Sequence, residues 1–188
     1  MIKKTTYLIL VIMLASCTGT KRLAEGELLY TGAVIHVESE EIIDESRIIA
    51  TAKQALRPEP NSSLLGMRPK LWLYQIAGEN PKSKFKKWLK EKGEPPVLLR
   101  DVRKEAVSEI IDAQLFNIGV FNSHTTSKIV EKKKTAQLIY TAEVHAPYKL
   151  NEYKINIHDN HIQQLIAESM QSSLIKPGMV YQLDVLRN

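Results

Sequence analysis

Two groups of side chains in this 188-residue chain have the types and spacing to do chemistry. The first is Leu14-Ala15-Ser16-Cys17, where the only cysteine of the chain follows a small residue at the end of an apolar run. With no second cysteine to pair with, its thiol stands outside any disulfide framework and is a nucleophile open to covalent modification. The second is His158 and His161, three residues apart with Asp159 between them, which is the start of a metal-ligand set. They straddle a predicted strand end and helix start, however, so they read as surface histidines. No phosphate-cradling glycine loop, nucleophile elbow or metal pair on one helix occurs, and no catalytic or metal-ligating residue is assigned.

The Leu14-Ala15-Ser16-Cys17 stretch resembles a bacterial lipobox. The resemblance implies that the Cys17 thiol receives a diacylglyceryl group, that a dedicated peptidase cuts just before it, and that the freed amine takes an N-acyl chain. Cys17 is then residue one of the mature protein, and this covalent lipid stands in place of any cofactor. Elementary physics agrees: Lys3 and Lys4 form a positive start, and Tyr7 to Ala15 is an unbroken apolar run of nine residues, too short to span a bilayer. Each buried methylene contributes roughly 0.8 kcal/mol, so one acyl chain holds marginally and two or more hold firmly. An ordinary secretory signal in which Cys17 is incidental is the competing reading. Thr18 stands where lipoprotein sorting would place an aspartate for inner-membrane retention, so the expected destination is the outer membrane, facing the periplasm.

Residues 17–188 suffice for one domain with a sizeable core and part of a second. Losing Lys3 and Lys4 with the signal lowers the 26 basic residues to 24 against 21 acidic ones, a net charge of about +3. Such mild basicity does not argue for a nucleic-acid partner. No later apolar stretch approaches the length of a membrane helix, so the body is expected to be soluble, tethered, and held by its core alone.

Those groups must be positioned by the elements that follow. Residues 17–27 are short, polar and charged, as a mobile tether would be. Leu28 to Val37 predicts a strand, with Val34, Ile35 and Val37 giving β-branched bulk and Gly32 a bend. Asp44 caps a predicted helix with Ile48, Ile49, Ala52 and Leu56 on one face, ended by Pro58. Residues 58–100 carry prolines and glycines throughout and read as an insertion of short pieces, among them Leu71 to Ile76. Asp101 is placed as the N-cap of a helix with Val107, Ile110, Ile111, Leu115 and Ile118 inward and Gly119 as its stop. Two strands follow, Thr125 to Glu131 and then Ala136, Leu138, Tyr140, Ala142 and Val144 alternating toward the helices, with a turn through Lys132 to Lys134. After Pro147 the pattern restarts: a strand at Tyr153, Ile155 and Ile157, a helix at Ile162, Leu165, Ile166 and Met170, a Lys176-Pro177-Gly178 turn, and a further helix from Tyr181.

A β-α-α-β-β unit repeated behind an export signal resembles the polypeptide-transport-associated (POTRA) domains of the BamA/TamA family of outer-membrane assembly proteins. Lys21-Arg22-Leu23, Leu71-Trp72-Leu73-Tyr74, Lys84-Phe85 with Trp88-Leu89, Gly93-Glu94-Pro95-Pro96-Val97, and Leu115-Phe116-Asn117 with Gly119 and Phe121 resemble its TamL lipoprotein branch. The expected class is therefore α+β: a POTRA-like unit over residues 28–147 with an insertion at about 58–100, then an incomplete second unit over 148–188. Members of that family continue into a transmembrane β-barrel, which nothing in these residues supplies, and the second unit lacks its hairpin. A truncated product, a split gene or a partial record is the expectation.

The function expected is binding. The resemblance implies contact with nascent outer-membrane proteins and with a TamB-like periplasm-spanning partner. A physical route is β-augmentation, in which an open sheet edge pairs with an incoming strand. The candidate edge is Thr125, Ser127, Lys128, Ile129, Val130 and Glu131, set against a solvated or covered edge. Residues 82–92 hold six lysines around Phe85, Trp88 and Leu89. One reading packs the three apolar residues inward and solvates the lysines; the other turns Lys84, Lys86, Lys87, Trp88 and Lys90 to an anionic membrane surface of outer-membrane lipid. The rival from another class is a free-standing outer-membrane lipoprotein with a POTRA-like fold that binds a small ligand or serves structurally.

Overall fold

The structure is a computed structural model that describes residues 19–152, 154, 166 and 173–187. Leu14, Ala15, Ser16 and Cys17 lie outside the described residues, as do His158, Asp159 and His161 and most of the strand and helix expected over 153–170.

The chain is α+β. Its elements are β1 (Leu29–Glu38), α1 (Glu45–Lys53), α2 (Pro69–Ala77), α3 (Lys84–Lys92), a single 3-10 turn (Leu99–Asp101), α4 (Lys104–Asn117), β2 (His124–Lys132), β3 (Thr135–Glu143) and α5 (Leu183–Arg187). Strand, helix, insertion, helix, strand, strand is the order the sequence led us to expect. The three strands form one sheet in the order β1-β3-β2, and no barrel occurs among the described residues. β2 and β3 form a hairpin whose turn is set by Lys133 at φ 56°. β1 runs parallel to β3, since Leu29 N donates to Lys134 O near one end and Val144 N to Glu38 O near the other. The central strand follows from alternation: Ala136, Leu138, Tyr140, Ala142 and Val144 are each at most 3% exposed.

Residue contacts group the chain into two compact units, Met1–Val34 with Leu56–Lys104 and Ser127–Ile139, and Ile35–Ala55 with Glu105–Thr126 and Tyr140–Asn188. The boundary expected near residue 147 falls inside the second. In the first unit Leu23, Leu29, Leu71 and Leu98 form a buried cluster. Each such leucine contributes roughly 1.5–3 kcal/mol on burial. The stretch expected to be a mobile tether is therefore docked from Gly19 on: Leu23 joins that cluster, Arg22 donates to Gln75 O, and Gln75 Nε2 donates to Gly19 O at 2.6 Å. Leu23 and these two hydrogen bonds anchor it together.

The insertion holds α2 and α3, each nine residues long. Its closure is polar. Buried Asn61 donates from Nδ2 to Pro95 O at 2.7 Å and accepts from Val97 N at 2.9 Å. Burial raises the Glu94 carboxyl, but hydrogen bonds from Ser62 N, the Lys70 ammonium and the Ser62 hydroxyl outweigh it and hold the group below the usual glutamate range. Asp101 does not cap α4. Its carboxylate accepts from Leu98 N at 2.9 Å within the 3-10 turn, and α4 starts three residues later.

In the second unit Asp44 accepts from Arg47 N and starts α1, burying Ile48 and Ala52. Val107, Ile111 and Leu115 are buried on α4, whereas Ile110, expected inward, is exposed. Val120 N donates to Leu115 O and Gly119 N to Phe116 O, the paired bonds that stop a helix at a glycine with positive φ. Beyond it Tyr148 N donates to Gly119 O and Tyr181 N to Tyr148 O, while Phe121 packs its ring on Phe116, Tyr148 and Tyr181. The expected turn at Lys176-Pro177-Gly178 is present, with Met179 N bonded to Lys176 O.

Candidate functional site

β2 is an outer strand of the sheet, paired on one side only, with β3. Its register decides which groups face outward. Thr125 N donates to Asp112 Oδ2 at 3.2 Å and the Thr125 hydroxyl to Asp112 Oδ1 at 2.7 Å, so this amide points away from β3. Backbone direction alternates along a strand, which places the amides of Ser127, Ile129 and Glu131 in the same outward register and those of Lys128 and Val130 in the ladder. Thr125 is thus taken by α4 and buried. Ser127 and Ile129 are half-buried, and Lys128, Val130 and Glu131 are exposed. Among the described residues no further backbone segment hydrogen-bonds to the outer side of residues 127–131.

The other outer strand differs. Tyr30 N donates to Val97 O and Leu99 N to Leu28 O, both at 2.9 Å, and Leu29 pairs antiparallel with Leu98. The end of the insertion therefore straps the first part of β1. Among the described residues, β2 is the outer strand that carries no such strap.

The lysine-rich stretch folds as the helix α3, with Ser83 accepting from Lys86 N at 3.2 Å as its N-cap. Of its apolar residues only Leu89 is buried. Phe85 is 67% exposed and Trp88 51% exposed, with their rings stacked at 6.1 Å. The expectation that all three pack inward is corrected, because a nine-residue helix lying against α2 turns only one narrow face to it. Lys84, Lys86 and Lys87 are exposed, while Lys90 is engaged, donating to Glu79 O at 2.5 Å with its ammonium 5.5 Å from the Tyr74 ring centroid.

Asp112 and Asn61 are the residues that sequence reasoning missed. Each is a polar side chain whose partner lies far along the chain, a relation that periodicity does not carry. A shallow cleft of about 490 Å³ in the first unit is lined by Arg22, Tyr74, Gln75 and Arg100. Both arginines are already used, by Gln75 O and Glu27. Among the described residues no cluster of three or more metal-ligating side chains forms, and no helix is long and apolar enough to cross a membrane. No protein-family model, curated protein or solved structure matches the chain.

Proposed function

We propose that this chain is a lipid-anchored, periplasm-facing POTRA module of an outer-membrane protein assembly or translocation factor resembling the TamL branch of the BamA/TamA family. Cys17 carries the anchor, and the module binds extended client or partner segments by adding them to the outer side of β2. The observation that carries this reading is the open register of Ser127, Ile129 and Glu131 on a strand that, unlike the first part of β1, carries no strap. Main-chain bonds supply affinity without reading much sequence, which suits clients that share strands of alternating polarity more than a common motif. The lipobox and the β-α-α-β-β order with its β1-β3-β2 sheet support the same reading.

Hydrogen exchange on the lipidated chain tests it. A ten-residue peptide of alternating apolar and polar residues is expected to slow exchange at Ser127, Ile129 and Glu131. Ile129→Pro removes an outward donor but no ladder donor, so it should abolish the protection while the fold persists. Val130→Pro should damage the β2–β3 ladder itself. Equal peptide binding by the Ile129→Pro protein, or protection centred elsewhere, refutes the edge as the site.

A further inference from the structure

We propose that α3 is a bilayer-docking element whose Lys84, Phe85, Trp88 and Lys92 seat in an anionic lipid headgroup layer. At 3.6 residues per turn these four positions fall within an arc of about 100°. Stacked and exposed, Phe85 and Trp88 present a paired aromatic surface on a helix whose remaining apolar residue, Leu89, is buried. Residues 82–92 surround that pair with six lysines against the single acid Glu91. Lysines flanking tryptophan and phenylalanine are the composition of helices that lie in a membrane interface. The helix is already formed and capped by Ser83, and Leu89 and Lys90 root it on the α2 side, so docking requires no folding.

A bilayer is favoured over an acidic protein by the place of Gly19 in the first unit. Gly19 packs against Leu71 of α2, so closely that a Cβ on it would stand 2.5 Å from Leu71 Cδ2, and α3 packs on α2. Gly19 is two residues from Cys17, and two residues span at most about 7 Å. This part of the argument rests on the lipid-anchor reading: a lipid at Cys17 delivers the helix pair to the membrane.

The test uses the full chain as extracted with its lipid, its intact mass checked, in phosphatidylcholine vesicles with and without phosphatidylglycerol and with brominated acyl chains. Trp72→Phe leaves Trp88 as the only tryptophan, and Trp88→Phe in the native background identifies the same signal by its loss. Trp88 emission should shift to the blue and be quenched in the anionic vesicles, and much less in the neutral ones. Replacing Lys84 and Lys92 with Gln should weaken docking about 30-fold. Trp88 left unquenched on an anchored protein overturns the proposal. So does equal quenching in both vesicle types, or protection of Trp88 by polyglutamate without quenching by vesicles, which would assign the face to an acidic protein. A mass without acyl chains refutes the anchor alone, and quenching on added vesicles still decides the docking.

Discussion

Gly93→Ala should unseat the end of the insertion, and the reason is steric rather than conformational. A Cβ at this position would stand 2.5 Å from Tyr74 N and 2.7 Å from Tyr74 Cα and Cβ. Ordinary carbon contacts begin near ~3.5 Å, so the chain must open by roughly 1 Å. The φ of −84° is ordinary for alanine, and the added methyl by itself stiffens the unfolded chain, favouring folding by ~0.4–1 kcal/mol. Overpacking against backbone costs ~1–3 kcal/mol, which leaves a net loss of up to about 2.5 kcal/mol. The displaced segment includes the Glu94 N bond to Lys70 O at 3.1 Å and the Lys70–Glu94 ion pair at 3.0 Å, so the whole closure should loosen. Urea unfolding followed by circular dichroism reads the effect as a lowered midpoint at unchanged slope. Trimming Tyr74 to Ala should not restore it, because two of the nearest atoms are backbone. A midpoint at or above the native one would show that Gly93 is not needed for close approach, and the reasoning would fail.

Asn61→Ala should cost about 1–3 kcal/mol in the same assay, since it removes the two hydrogen bonds that the buried Asn61 side chain makes to the part-buried Pro95 O and Val97 N. Glu94→Gln should lower stability at pH 7 by less than ~1 kcal/mol for a partly solvated pair. Because the folded Glu94 carboxyl is held below its ordinary value, its contribution is complete above about pH 5 and fades as pH falls through the depressed value. Urea midpoints of native and variant protein should therefore converge in acid, and a gap that widens there would reverse the sign. Cys17→Ser should move the protein from the outer-membrane fraction to the soluble periplasm and remove the diacylglyceryl and N-acyl mass; identical masses for both proteins would make Cys17 incidental.

Much of the fold was legible because it is periodic. The alternation of Ala136 to Val144 identified a strand buried on one face, and Asp44 and Gly119 marked helix ends through local chemistry that needs no distant partner. What stayed hidden depends on contacts across the chain. Leu23 sits in no repeating pattern, yet it closes a cluster with Leu71 and Leu98. Asp101 has the residue type of a helix cap, but it sits in the 3-10 turn, three residues before α4 begins, with its carboxylate on Leu98 N. Phe85 and Trp88 have helical spacing with Leu89, and spacing alone does not say how narrow a face the neighbouring helix covers. The candidate edge was located in sequence; that Asp112 takes its first residue and leaves Ser127, Ile129 and Glu131 required the sheet order and the register.

The strap of Val97 to Leu99 across β1 also governs what copies of this protein can do to one another. A sheet open at two unlike edges can join head to tail, and such contacts repeat without closing, which is the geometry of a filament. The strap takes the first part of β1 out of such head-to-tail pairing and leaves β2 against β2 as the contact that meets no strapped segment. That contact is isologous and closes at a pair. A dimer joined in that way hides the β2 edge of each copy.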